Sequence, residues 1–393
     1  MFKKLLQILK EKIFFNLMLS FLLKERYKMK KAAKDYSKKN PNGTIKAIKL
    51  FESFDYASLE GQNVILFVVY APKSFLMYER YFQMLEKLNY KIVAISNGSL
   101  SQNFVDIFKD KVVFMGERAN IGRDFGTYKE FIHLLSHKNV TPNNLIICND
   151  SIFANLNQKD NRFVDFLIKN ENEDFVGVAE YMGKPGYHVQ SYFLKFSHNV
   201  LKAPNFIKFW DNFLISDDRR LNIHNGEIKL SASILKDGFK PVVFLSTDNV
   251  INKIVSSKET LQKFLIEASA NKHLDQNVIS GLKSLSLAFY DKKSTPEHIA
   301  YYTASLKQEI SRMIDRFGMI VVCPFFIIDE FGFPFLKRDL VYRQITEWML
   351  IRDQGKNFDQ DLLEEYVNDQ RIRCRSWNLA SLKDKLMYMT GMN

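Results

Sequence analysis

Apolar positions recur along this chain with two different periods, and the switch between them divides it. Near the N-terminus Leu5, Leu6, Ile8, Leu9, Ile13, Phe14, Leu17, Met18, Phe21 and Leu22 return at helical spacing among lysines, which predicts an amphipathic helix. Asn40-Pro41-Asn42-Gly43 is turn chemistry and ends that arm. From Asn63 to about Phe244 short apolar runs take over: Val64–Tyr70, Lys91–Ile95, Val112–Phe114, Leu145–Cys148, Phe175–Val178 and Val242–Phe244. Runs apolar at every position predict strands covered on both faces, as in a largely parallel sheet. Ser74 to Leu88, with Phe75, Tyr78, Phe82 and Leu85 on one stripe, predicts a helix between the first two strands.

The later chain is helical in pattern over 250–318, apolar again over Met319–Ile328, and helix-like around Leu340–Leu350 and Asp361–Val367. The expected fold class is therefore α/β, with a Rossmann-like, mixed and mainly parallel sheet. Four regions are expected: a basic amphipathic arm (1–43), an α/β sheet domain (44–249), a helical insertion (250–318) and a C-terminal segment that ends in helices (319–393).

Composition narrows the class. Among 393 residues, 46% hydrophobic and 25% charged are globular values, and 34 Phe with 17 Tyr predict a Phe-packed interior. Cys148, Cys323 and Cys374 form no C-x-x-C pair, which argues against a zinc ribbon or a disulfide framework and fits a reducing cytoplasm. The first two sit in apolar runs and are expected to be small buried hydrophobes. No small-residue cleavage site follows the first apolar stretch, so a secretory signal is not expected.

Charge is unevenly placed. Residues 1–39 hold twelve Lys and Arg against three Asp and Glu, a net +9 of the chain's +12. The remainder is close to neutral, so composition implies no basic nucleic-acid groove on the main domain. The apolar run Ile13–Leu23 is about half of the roughly 20 residues a span requires. The arm is therefore expected to lie on an anionic membrane surface, with docking on the protein's own core or on a partner as the alternative.

Polar strings after strands are where ligands bind in open α/β sheets. Arg118-Ala119-Asn120-Ile121-Gly122-Arg123-Asp124-Phe125-Gly126-Thr127-Tyr128 follows a strand expected to end at Met115. Its glycines allow close backbone approach and Arg118 and Arg123 can meet phosphate; the alternative is a solvated turn entering a helix. Asn149-Asp150-Ser151 can hold ribose hydroxyls or a magnesium-type ion, or be an ordinary Asx turn. Glu227 opens an expected helix through Leu235, placed either to satisfy the helix dipole or to take a proton from a hydroxyl. No G-x-G-x-x-G follows the first strand, which argues against a dinucleotide oxidoreductase.

These strings, with His188-Val189-Gln190-Ser191-Tyr192-Phe193, Phe206–Trp210 and Pro334-Phe335-Leu336-Lys337-Arg338, resemble the rhamnan synthesis protein F family in order and spacing over about Asn63 to Trp348. The resemblance implies a GT-A-like glycosyltransferase adding rhamnose or a related sugar to a lipid-linked or growing cell-surface polysaccharide, with inversion. It implies Glu227 as catalytic carboxylate, and a donor site of Asn120, Gly122, Arg123, Asp124, Asn149, Asp150, Ser151, Lys337 and Arg338. His188 and Gln190 would bind the acceptor or donor sugar. The substrate would be a nucleotide sugar of the dTDP-rhamnose kind, with Asp150 the candidate ligand for Mg2+ or Mn2+. Trp210 and Phe209 read more readily as core than as a sugar platform. The expected location is the cytoplasmic face of the cell membrane. A different class also fits: a non-catalytic sugar-nucleotide or glycan-binding subunit of an assembly complex.

Overall fold

The computed structural model describes residues 2–379 except 71, 73, 74, 185, 291–293, 339, 342–344 and 347, and for 2–18, 348, 349 and 375–379 only the backbone. The arm's apolar stripe from Leu5 to Met18, and Ser74 at the start of the first expected crossover helix, lie outside what is described.

Eleven strands occur among the described residues: β1 (Lys46–Ala47), β2 (Asn63–Val69), β3 (Lys91–Asn97), β4 (Phe114–Arg118), β5 (Asn144–Asn149), β6 (Ile152–Phe153), β7 (Phe175–Tyr181), β8 (His188–Val189), β9 (Phe193–Ser197), β10 (Pro241–Leu245) and β11 (Leu336–Lys337). Nine form one sheet in the order β1-β4-β3-β2-β5-β9-β7-β10, with β8 on β7. Within it β2, β3, β4, β5, β7 and β10 run one way while β1, β8 and β9 oppose them. The expected mixed, mainly parallel α/β sheet is what the chain forms.

The period of two in β2 separates two cores. Ile65, Phe67 and Val69 face one layer, and Val64, Leu66 and Val68 the other. On the first face the helix Leu76–Glu86 sets Tyr81 and Phe82 against Phe67 at centroid distances of 4.8 and 5.2 Å. On the second, the helix Arg123–His137 contributes Phe125, Tyr128 and Phe131, and Pro204–Asn212 adds Phe206 and Trp210. Each fully buried Phe is worth about 1.5–3 kcal/mol in transfer from water, so the aromatic excess goes into these layers. Cys148 and Cys323 are buried thiols, and Trp210 is core.

The helices Lys258–Ala270, Gln276–Phe289 and Pro296–Phe317 pack Leu261, Phe264, Leu282, Leu306 and Ile310 into the first core. The apolar run beyond them is helical, as Met319–Val322 and Pro324–Phe331. The break falls at Cys323, φ −145°, because Pro324 drives the residue before it out of the helical region.

Two features correct the sequence reading. The third parallel strand does not end at Met115: β4 pairs with β3 as far as Arg118 opposite Asn97. Arg118 is therefore a buried strand residue, donating to Glu130 (2.8 Å) and Asn97 (2.6 Å), and it cannot meet a phosphate. In addition, the polar-flanked segment His188–Ser197 supplies β8 and β9, and β9 lies antiparallel between β5 and β7.

The N-terminal helix runs from Phe2 to Lys39, and its last turns dock on the domain. Tyr36 Oη donates to Glu130 Oε1 (2.6 Å), and Arg26 faces the buried Asp218 carboxylate at 3.6 Å. No described helix is long and apolar enough to cross a membrane.

Candidate active site at the carboxyl ends of the parallel strands

Asp150 emerges where β2 and β5 end side by side, and its N–H donates to Val68 O at 3.2 Å. Its Oδ2 accepts from the Tyr70 N–H (3.0 Å) and from Tyr78 Oη (2.5 Å). Burial and the Asp150 charge hold the Tyr78 phenol far above its usual range, so it stays a donor. The β11–β6 pairing, Lys337 opposite Ile152, brings the C-terminal string to this point. Arg338 reaches Asp150 Oδ2 at 3.5 Å and its carbonyl at 3.0 Å, and donates to Asp369 at 2.8 Å. The Asp150 and Asp369 charges overcome its burial and keep the guanidinium protonated.

Asn149 is saturated by internal bonds. Its Nδ2 donates to Asp124 Oδ2 (2.9 Å) and Tyr128 Oη (3.0 Å), while its Oδ1 accepts from Ser151 N–H (3.0 Å) and Oγ–H (2.6 Å). Asp124 stands in the first turn of its helix, begun by Gly122 at φ 79°. A side chain at 122 would place Cβ 2.2 Å from Ile215 Cγ2, so glycine is required there for both space and backbone sign. The Gly122 N–H donates to Asp217 (2.7 Å), and Arg123 Nε reaches the Asp217 carbonyl (3.4 Å). Burial, then the nearby Asp150 and Glu227 charges, push the Asp124 carboxyl up to about 7 against a weaker pull from Arg123.

Glu227 does not open a helix. Its helix starts at Arg219, capped by the Asp218 side chain, and passes through a π-helical stretch, Asn222–Ile228, before Lys229–Lys236. Too far from the N-terminus to serve the dipole, the carboxylate sits on a widened turn of the kind that often marks functional sites. Gly226 presses this turn against Phe125, where a Cβ would lie 2.9 Å from the ring. Ser191 Oγ donates to Glu227 Oε1 at 2.7 Å, and His188 Nε2 lies 3.4 Å from Oε2. His188 Nδ1 bonds the Gly186 carbonyl at 3.0 Å, which fixes a proton on that nitrogen. Burial opposes ionisation of both partners. The mutual bond and charge outweigh it, so the imidazole sits above its usual range and the carboxyl below its own, Ser191 and Lys337 helping. The Glu227 side chain nevertheless keeps 26% of its surface exposed.

Asp124, Asn149, Asp150, Ser151, His188, Glu227, Lys337 and Arg338 thus converge from five segments of the chain. Ser151 is exposed, whereas Asn120 is exposed on the loop after β4, with Gly122 and Arg123 at the base of the next helix. The Gln190 N–H joins Ala179 O at 2.9 Å, and its Oε1 is buried without a hydrogen-bond partner among the described residues. Sequence reasoning missed Tyr78, Tyr128, Ser191 and Asp369. Tyr128 and Ser191 lie inside the quoted strings, and Tyr78 lies on the predicted stripe, but only the fold turns their hydroxyls toward the site.

Comparison with known proteins bears out the family resemblance: residues 92–271 match the family described as rhamnan synthesis protein F. The uncharacterized protein y4gN of Sinorhizobium fredii is 26% identical over 319 residues, 79% of each chain. Among solved structures, one described as a nucleotide-diphospho-sugar transferase from Desulfovibrio desulfuricans G20 is similar at 14% identity and TM-score 0.28, covering 47% of this chain and 79% of that one. The glycosyltransferase GlyE of Streptococcus pneumoniae TIGR4 is similar at 12% identity and TM-score 0.27, covering 64% of this chain and 63% of that one.

Proposed function

We propose, on the premise that residues 92–271 are a rhamnan synthesis protein F segment, that this protein is a glycosyltransferase moving rhamnose or a related sugar from a nucleotide-sugar donor to a surface glycan. One observation carries the reading: an ionised, partly exposed Glu227 carboxylate, held by His188 and Ser191, lies within electrostatic reach of Asp124 and Lys337 at the strand ends.

In the proposed reaction Glu227 takes the proton from an acceptor hydroxyl, whose oxygen attacks the anomeric carbon. The bond from that carbon to the diphosphate oxygen breaks, the nucleoside diphosphate leaves with the bonding pair, and the configuration inverts. Lys337 and Arg338 meet the charge on the leaving diphosphate. The donor set suits such built-in cations better than Mg2+ or Mn2+. Asp150 Oδ2 and Asn149 Oδ1 are already occupied by protein donors, and the described residues hold no group of three His, Cys, Asp or Glu arranged for a metal.

The test is nucleoside-diphosphate binding by calorimetry in the presence of a chelator. Asp124 is neutral below about 7 and charged above it, so a bound diphosphate meets a repelling carboxylate only at higher pH. Affinity is expected to fall roughly tenfold between about pH 6 and about pH 8, and Asp124→Asn to flatten the profile. For stability the sign is the same. The raised carboxyl contributes fully below the unfolded value near 4, and that contribution is lost as pH rises through about 7. Binding that requires added metal would overturn the built-in-cation reading.

The arm supports work at a membrane surface on a lipid-linked acceptor. Leu19, Leu23 and Tyr27 are 44%, 59% and 70% exposed on successive turns, among Lys24, Lys28 and Lys31. Cosedimentation with anionic vesicles is expected, weakening between about 0.1 and 0.5 M salt as the Debye length shrinks. Binding indifferent to salt, or equal on neutral vesicles, would remove the electrostatic account.

A further inference from the structure

We propose that Tyr128 is a positioning residue that ties the Glu227 carboxylate to the nucleotide-facing end of the cleft; the proposal rests on the transferase reading above. Tyr128 is fully buried, edge-on to Phe125 at 5.6 Å, so it touches no substrate. Its hydroxyl nevertheless stands between the two halves of the site, accepting from Asn149 Nδ2 at 3.0 Å and donating to the Ser191 carbonyl at 3.2 Å.

On one side, the same Asn149 amide nitrogen holds Asp124 at 2.9 Å, and the amide oxygen holds Ser151. On the other, Ser191 Oγ holds Glu227 at 2.7 Å. An unbroken line therefore runs from Asp124 through Asn149, Tyr128 and Ser191 to Glu227. It crosses from the end of β5 to the π-helical turn, elements otherwise distant in sequence. Asn149 has no spare donor or acceptor, so a ligand that shifts Asp124 or Ser151 must reorient the amide and pull on the Tyr128 hydroxyl. Buried networks in which every member is satisfied act as units, and removing one link leaves the others unpaired in a low dielectric.

Tyr128→Phe keeps the ring and removes only the link. Nucleoside-diphosphate Kd is expected to stay within about threefold while kcat falls roughly 10- to 100-fold, the cost of a base displaced by a fraction of an ångström to 1 Å. Ser191→Ala, which breaks the line one bond further on without touching the ring packing, is expected to give the same split. Loss of Tm with Kd and kcat unchanged would make Tyr128 merely structural, and parallel losses of Kd and kcat would make it a contact residue; either result overturns the proposal. Ligand-free crystal structures of the wild-type and Tyr128→Phe chains give a readout independent of activity. A turned Asn149 amide with a displaced Ser191–Glu227 pair supports the link, and an unchanged pair overturns it. Wild-type protein that neither binds nucleoside diphosphates nor turns over nucleotide sugars would defeat the transferase reading itself, and the crystal comparison would still decide the link.

Discussion

Glu227→Gln is expected to lower sugar transfer by about 10²–10⁴-fold, the range for loss of a general base, without unfolding the chain. Glutamine keeps the volume and can still accept from Ser191 Oγ, now 2.7 Å from Oε1. It cannot take a proton, and it carries no charge to balance His188 at 3.4 Å. The imidazole of the variant should therefore titrate lower than in the wild type, since the Glu227 bond and charge are what lift it against burial. Nucleoside-diphosphate affinity should change little, because Glu227 stands on the acceptor side of the proposed reaction. Unchanged turnover in Glu227→Gln would end the general-base assignment. A wild-type chain that binds donor but never transfers sugar would instead favour the non-catalytic binding subunit.

Arg338→Met is expected to cost about 3 kcal/mol of folding stability, near the lower end of what removing one partner of a buried ion pair costs. The Arg338 side chain is only 17% exposed and faces Asp150 at 3.5 Å and Asp369 at 2.8 Å. Methionine fills much of the space but leaves both carboxylates short of their cation, with Arg373 still on Asp369 at 2.7 Å. Arg338→Lys should recover part of the loss, since it restores charge without the two-armed geometry. Urea unfolding of the three chains measures this, and an Arg338→Met midpoint equal to wild type would show that water already screens the cluster. The sign follows from Asp369, held below the usual carboxylate range by Arg338 and Arg373 against burial. Its stabilisation is present above the unfolded value near 4 and fades as pH falls through the lower folded one.

Much of this was legible from residue order. β2, β3 and β5 read cleanly because strands buried on both faces are apolar at every position. The Asn149-Asp150-Ser151 string was found because polar residues just beyond such strands are where ligands bind in open α/β sheets. Arg118 was misread for an equally physical reason: whether an arginine meets solvent or a buried carboxylate depends on Glu130, twelve residues away on another element. Glu227 was placed at a helix start because a π-helical turn has no residue signature of its own. β8 and β9 escaped notice because His188–Ser197 interrupts its apolar positions with a glutamine, two serines and a lysine. Of these, Lys195 is buried and spends its ammonium on the Glu173 carbonyl at 2.6 Å.

The Tyr36–Glu130–Arg118 cluster decides where the chain can be shortened. Glu130 takes bonds from Tyr36 Oη, the Thr44 N–H and Arg118, so one acidic side chain clasps the end of the first helix, the turn after it and strand β4. Cutting at Gly43 would strip away a tyrosine that shields this clasp and open a buried guanidinium to water, whereas a cut ahead of Arg26 leaves every one of these bonds in place. The cooperative folding unit thus begins inside the first helix, and the stretch before Arg26 is the part that can vary in length without disturbing the enclosed charges.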